Sequence, residues 1–288
     1  MKQVLILSGK GGTGKTTIAA AFINLSQAKA FADCDVDAPN LHFLSNMKQK
    51  PITTDFFGLP KAKVDKNLCI SCGKCMEHCR FDAIAEDFTI NSNSCEGCGL
   101  CYEICPVKAI SLVPHVSGLM QLFTKKDVVF STAKLNMGSG NSGLLVTEVK
   151  KQMIKVSGHA PLAIIDGSPG IGCPVIASLS GVDLVLVVAE PSVSGISDMQ
   201  RVIQTASKLG VEIIVCVNKY DVNVEKTNEI ERYCDKQGLV FAGKIPFEQE
   251  TVQALNQGKS IAETKGKANE ALQKVYLSVM EIAERQEN

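Results

Sequence analysis

The sequence predicts an α/β fold, a mostly parallel sheet with helices on both faces, interrupted by a small cysteine-rich α+β insert. Three observations carry this. The chain opens on an apolar, β-branched run, Val4-Leu5-Ile6-Leu7, which passes through a glycine-rich turn into an alanine-rich helix from Ile18 to Ala28. Similar apolar runs recur at Leu162–Asp166, Asp183–Ala189 and Glu212–Val217, the last two each followed by a helical stretch, the alternation expected of a parallel sheet. Between the two halves, eight cysteines stand in two short repeats whose spacing serves neither a strand nor an amphipathic helix.

The turn after the first strand reads Ser8-Gly9-Lys10-Gly11-Gly12-Thr13-Gly14-Lys15-Thr16-Thr17, a G-x-x-x-x-G-K-[ST] loop in its required strand–loop–helix setting. Gly11, Gly12, Thr13 and Gly14 can aim consecutive backbone N–H groups into one concavity. Lys15 supplies a point charge for the β- and γ-phosphates, and the Thr16 hydroxyl, with Thr17 beside it, is placed for Mg²⁺. A bound nucleotide, ATP or ADP, with Mg²⁺ is therefore expected. Lys10 is a second cation that an ordinary loop does not need; it suits a dimer in which each Lys10 reaches the partner's nucleotide. Leu162-Ala163-Ile164-Ile165-Asp166 is a buried strand ending in an acid, then a tight turn, Gly167 to Gly170. That is the form of a Walker B strand, with Asp166 expected to hold Mg²⁺ and the turn to move when the γ-phosphate leaves.

The cysteines fall as Cys69-x₂-Cys72-x₂-Cys75-x₃-Cys79 and Cys95-x₂-Cys98-x₂-Cys101-x₃-Cys105-Pro106, an internal repeat of about 26 residues. Thiolates two and three residues apart wrap one iron–sulfur cube, and the fourth of each run sits too far round and serves the other cube. Cys69, Cys72, Cys75 and Cys105 are expected to hold one [4Fe–4S] cluster; Cys95, Cys98, Cys101 and Cys79 the second. Zinc is the competing reading for any Cys-x-x-Cys pair, and two complete runs disfavour it. The arrangement resembles bacterial two-cluster ferredoxins. The repeats differ at one place, since Arg80 follows Cys79 where Pro106 follows Cys105. The domain division expected is 1–60 with 116–288 for nucleotide binding, and 61–115 for the insert.

As a whole the chain resembles the deviant Walker A ATPases of the MinD, ParA, nitrogenase iron protein and Mrp-type carrier group, with a ferredoxin domain inserted. The resemblance implies a MinD-like P-loop fold and a homodimer with ATP at the interface. It implies that Lys10 acts across that interface. Among the acids Asp33, Asp35 and Asp37, it gives Asp35 the place of the residue that orients the attacking water near Mg²⁺ and Asp33 that of the strand-end acid. Asn218 takes the place of the residue that bonds the base, and Pro246 and Phe247 lie in the segment flanking adenine. Asn218-Lys219-Tyr220-Asp221 also has the form with which GTPases read guanine, which leaves Asp221 as the alternative reader. Cys173, seven residues after Asp166, stands where the nitrogenase iron protein has a cysteine ligating a cluster shared across its dimer; no second cysteine lies in the stretch from Met137 to Gly143. Cys34, Cys216 and Cys234 read as small buried residues.

Composition narrows the function. Basic and acidic residues are equal at 30 each, so neither a nucleic-acid partner nor a membrane surface is expected. The C-terminal helix mixes both charges and offers no basic amphipathic end. Without a secretion signal, clustered thiols point to a reducing cytoplasm. Three functional classes stay open at this level. They are an ATP-gated electron carrier working on a redox partner, a carrier that assembles or delivers clusters, and a positioning switch that senses redox state. The lack of a separate C-terminal Cys-x-x-Cys counts against the second.

Overall fold

Strand β1 (Lys2–Leu7) lies inside a nine-stranded sheet in the computed structural model, which describes residues 1–45, 47 and 49–285. Its side chains alternate between two cores. Val4 and Ile6 enter one, Leu5 and Leu7 the other, and all four are fully buried. A strand buried on both faces must be apolar at every position, which explains the unbroken run in the sequence. Helix α1 (Lys15–Ser26) covers the first face, where Phe22 packs edge-on against Tyr276 at 5.2 Å.

The chain continues through β2 (Ala30–Asp33), β3 (Ile52–Phe57), β4 (Lys61–Val64), α2 (Lys74–Glu77), α3 (Leu100–Glu103), β5 (Ile110–Val113), β6 (Val116–Lys125) and β7 (Val128–Leu135). There follow α4 (Ser142–Val156), β8 (Leu162–Asp166), α5 (Cys173–Leu179), β9 (Leu184–Ala189), α6 (Val193–Lys208), β10 (Glu212–Asn218), α7 (Val224–Gln237), β11 (Val240–Ile245), α8 (Gln249–Asn256) and α9 (Lys267–Arg285). The sheet order is β11-β10-β9-β1-β8-β2-β7-β6-β3, parallel from β11 to β7. The acids Asp33 and Asp166 end neighbouring strands in register with each other.

The far edge departs from the sequence reading. β7 runs parallel beside β2, and two further strands carry no clear signal in the sequence. β6 folds back on β7 as an antiparallel hairpin, and β3 closes the edge antiparallel to β6. β3 was invisible because five of its six residues are exposed and carry no apolar alternation. Phe31, Phe130 and Phe123 stack in succession, at 4.9 and 5.2 Å, and weld β2 to the hairpin.

This edge positions the cysteines. β3 ends at Phe57, β6 begins at Val116, and those two residues are paired. Everything between them hangs from adjacent strands through Gly58-Leu59-Pro60 and Pro114-His115. Inside this lobe β4 and β5 form their own antiparallel ribbon, and a small core of Ala62, Ala83, Cys95 and Ile110 lies beneath it.

On the other face, Lys150 of α4 is buried, and burial holds its pKa below the ordinary lysine value. Its Nζ donates to the carbonyls of Ser178 at 2.8 Å and Ser180 at 2.5 Å, capping the open C-terminus of α5. Lys150→Met keeps the stem and removes the donor. It is expected to lower stability by about 1–3 kcal/mol, read from denaturant midpoints at constant m-value; an unchanged midpoint would show that the cap contributes nothing.

Candidate functional site

The loop between β1 and α1 is shaped by its glycines. Gly14 has φ 93°, a left-handed value, and a Cβ there would stand 2.2 Å from the Asn218 amide nitrogen. Asn218 Nδ2 donates to the Thr13 carbonyl at 2.7 Å, and Lys219 Nζ donates to the Gly12 carbonyl at 3.0 Å. The end of β10 thus braces the loop. In front of it opens a cleft of about 380 Å³ lined by Gly11 to Ile18, Asp35, Asn40, Asn218 and the Pro246–Glu248 segment.

At the floor of the cleft Lys15 Nζ meets Asp166 Oδ1 at 2.5 Å, both side chains almost wholly buried. Burial alone would push the lysine pKa down; the charge and hydrogen bond of Asp166, together with the charges of Asp33 and Asp35, outweigh it, and the pKa is raised. Asp166 Oδ2 is buried and finds no hydrogen-bond partner among the described residues. An orphaned carboxylate oxygen beside Thr16 fits a Mg²⁺ site, because the cation would satisfy the lone pairs the protein leaves bare.

The three acids of the following segment separate cleanly. Asp33 is fully buried, and its carboxylate accepts from three backbone amides, Asp35 at 3.0 Å, Asn40 at 2.9 Å and Leu41 at 2.9 Å. It shapes the turn. Burial, reinforced by the charge of Asp166, raises its pKa to about 7. Asp35 is partly exposed and lines the cleft, its pKa also raised by burial. Asp37 is exposed and lies outside the lining.

Lys10 does not line this cleft. Its Nζ pairs with Glu190 Oε2 at 2.9 Å and lies 3.3 and 3.4 Å from the hydroxyls of Ser192 and Ser194. Pro246 and Phe247 do line it, and Asp221 Oδ1 accepts from the Phe247 amide at 2.8 Å. The acid that would read guanine thus has one oxygen bonded to the loop that lines the cleft. Sequence reasoning missed Thr251, Val252 and Leu255 of α8, which wall the cleft with Ile261; their i, i+1, i+4 spacing was the available signal.

The cysteines of the lobe line two adjoining cavities. Cys69, Cys72, Cys75 and Cys105 line one; Cys79, Cys95, Cys98 and Cys101 line the other, which Cys75 also borders. The fourth cysteine of each run therefore stands with the other run's first three. Among the described residues no three Cys, His, Asp or Glu side chains converge as one ion requires. A tetrahedral zinc at about 2.3 Å from each sulfur would draw its ligands much closer together than a four-iron cube does. At least four thiols line each cavity, and four is the donor number that a cube requires. Cys173 stands apart, exposed at the start of α5, where Gly143 packs against it. Cys34, Cys216 and Cys234 are buried, which pushes their thiols up to about 12, 12 and 11.

The profile of the CobQ/CobB/MinD/ParA nucleotide binding domain matches residues 4–261. The chain belongs to this family. An uncharacterized protein of Methanocaldococcus jannaschii is 33% identical over 285 residues, covering 97% of each chain. An iron-sulfur cluster carrier protein of Pyrococcus abyssi is 23% identical over 278 residues, covering 89% of this chain and 77% of that one. The septum site-determining protein MinD of Pyrococcus horikoshii, solved in complex with Mg-ADP, matches with a TM-score of 0.59 at 16% identity over 98% of this chain and 97% of that one. This last likeness is one of fold. The phosphate loop of this MinD/ParA-family chain is accordingly a nucleotide-binding loop.

The buried acid gives a pH signature. Because the folded pKa of Asp33 is raised to about 7, the native state holds a proton that the unfolded chain has released from about pH 4 upward. Its contribution is complete below about pH 4 and is lost as the pH rises through about 7. In nucleotide-free, Mg²⁺-free protein, the stability advantage of the wild type over Asp33→Asn should shrink across that window in urea titrations. An advantage that grows with pH would contradict the assignment.

Proposed function

We propose that this chain is an ATP-hydrolysing iron–sulfur protein that gates electron transfer through two [4Fe–4S] clusters by nucleotide-driven closure of a homodimer. One observation carries the reading: eight cysteines divided in crossed fashion between two adjoining cavities, in a lobe tied by paired strands to a P-loop domain. The clusters, when bound, supply one-electron chemistry for a partner redox protein.

Within the nucleotide domain each residue has a task that its position supports. Lys15 leaves Asp166 for the β- and γ-phosphates, and Asp166 with Thr16 then holds Mg²⁺. Asp35, which lines the cleft, orients the attacking water. Lys10 leaves Glu190 and reaches the nucleotide of the second subunit. Asn218, Pro246 and Phe247 receive the base, with adenine favoured by the likeness of the phosphate loop to the deviant Walker A group. Cys173 lies on the exposed side of the 167–172 turn, where a dimer would bring two such thiols together as metal ligands. Among the described residues no helix is long and apolar enough to cross a membrane. A reducing cytoplasm suits exposed cluster thiols.

A cluster-delivery carrier is the second reading, favoured by the Pyrococcus relative's name. The two part on one measurement: whether ATP changes the rate at which reduced protein passes electrons to a redox partner, or the rate at which its iron appears in an apo-acceptor.

Protein purified without oxygen should carry about eight irons and eight sulfides, and Cys79→Ser should damage the cluster bound by Cys95, Cys98 and Cys101. Stoichiometric zinc without iron would falsify the cluster assignment. Lys10→Ala should lose nucleotide-dependent dimerisation and slow phosphate release roughly a hundredfold, the rate equivalent of about 3 kcal/mol of transition-state charge stabilisation. Normal turnover in that variant would remove Lys10 from the inter-subunit role.

A further inference from the structure

The two cavities of the lobe sit in unequal electrostatic surroundings. The cavity of Cys79, Cys95, Cys98 and Cys101 is the inner one. A Cβ on Gly97 would stand 2.3 Å from the Pro60 carbonyl, and the Glu96 carboxylate lies 3.4 Å from where a Cβ on Gly140 would be. The cavity's rim thus abuts both the link to the sheet edge and the loop before α4. Against its wall lies Lys61, a lysine only 7% exposed, whose Nζ donates to the Cys95 carbonyl. Cys95 is itself the most buried of the eight lobe cysteines.

The internal repeat supplies a built-in comparison. Lys61 precedes Asp87 by 26 residues (87 − 61), as Cys69 precedes Cys95 by 26 (95 − 69). The counterpart of the buried lysine is therefore an acid, Asp87, which is exposed and paired with Lys66 at 3.2 Å. A second pair breaks the same way. Asp65 and Asn91 (91 − 65 = 26) each accept the amide two residues on, at 2.9 and 3.0 Å, so the run opening the outer site carries a carboxylate where the inner one carries a neutral amide. The Ala109 amide, 3.3 Å from Cys105 Sγ, acts in the opposite sense on the outer site, but it is a dipole and not a full charge. Asp65 and Asp87, His78 on the inner cavity, Lys74 on the outer one, and Arg80 and Glu96 nearby are all exposed, where solvent and salt screen them. Lys61 is the buried ion in this set.

Reducing a cluster adds one negative charge, which a nearby cation in a low-dielectric setting stabilises. We propose that Lys61 holds the reduction potential of the inner cluster above that of the outer one, so that an electron entering the lobe comes to rest on the side facing the nucleotide domain. This rests on the cluster reading above.

The test is an EPR-monitored redox titration of the cluster-loaded protein. Lys61→Gln keeps a hydrogen-bond donor and removes the charge. It should shift the one-electron equilibrium of one cluster by about tenfold, a fall of about 59 mV, and leave the other in place. Lys61→Arg should restore the wild-type pair of potentials, and Lys63→Gln, at an exposed site on the same strand, should move neither. Should the glutamine protein fail to load its clusters, the titration of Lys61→Met decides in its place. Two unchanged potentials in fully loaded Lys61→Gln or Lys61→Met protein, or an equal shift in both, would overturn the proposal. Wild-type protein without iron would instead overturn the cluster reading beneath it.

Discussion

The buried contact between Lys15 and Asp166 is the constraint on which the nucleotide site depends. Three carboxylates, Asp33, Asp35 and Asp166, converge beneath the phosphate loop on one lysine, with Asp33 and Asp166 wholly out of solvent. Such a cluster is electrostatically unfinished. Lys15 answers one oxygen of Asp166, three backbone amides answer Asp33, and the remaining oxygen of Asp166 is bare. Burial of charge without full compensation is costly, and a bound cation would answer the bare oxygen of Asp166 while phosphates would answer the lysine. The β1–β8–β2 register places all of this at the C-terminal ends of parallel strands, where ligands of open α/β sheets bind.

The second constraint is mechanical. An insert joined through long loops would swing freely, but here both links are short and both anchoring strands are hydrogen-bonded to each other. The lobe is thus carried by the sheet. The loop that follows β7 runs past Glu96 at Gly140 and reaches Cys173 at Gly143, and Lys150, two turns further along α4, caps α5 behind the nucleotide turn. One helix therefore touches the cysteine lobe's neighbourhood at one end and the element after Asp166 along its length.

Much of this was legible beforehand, for reasons particular to the residues. The strands Leu162–Asp166, Asp183–Ala189 and Glu212–Val217 stood out because strands buried on both faces must be apolar throughout. Helix ends were less legible: α6 starts at Val193, where the Ser192 hydroxyl accepts the Gly195 amide and caps the first turn. β3 was missed because an edge strand with an exposed face needs no apolar pattern. The spacing of Asp33, Asp35 and Asp37, matched to the family the chain resembles, already set Asp35 apart. The structure adds that Asp33 is buried on three backbone amides while Asp35 lines the cleft.

The sequence by itself determined the chemistry: a phosphate-binding loop between strand and helix, an acid at the end of a buried strand, and two cysteine runs with the spacing of iron–sulfur ligands. These are local, since backbone reach over three to eight residues sets which groups can face one ligand. Tertiary structure decided which of those groups meet across the chain. Only the folded chain puts Lys15 on Asp166, Asn218 on Thr13, Asp221 on Phe247, Lys10 on Glu190 and Lys61 on Cys95, because each partner is brought in by sheet order and packing over tens to hundreds of residues.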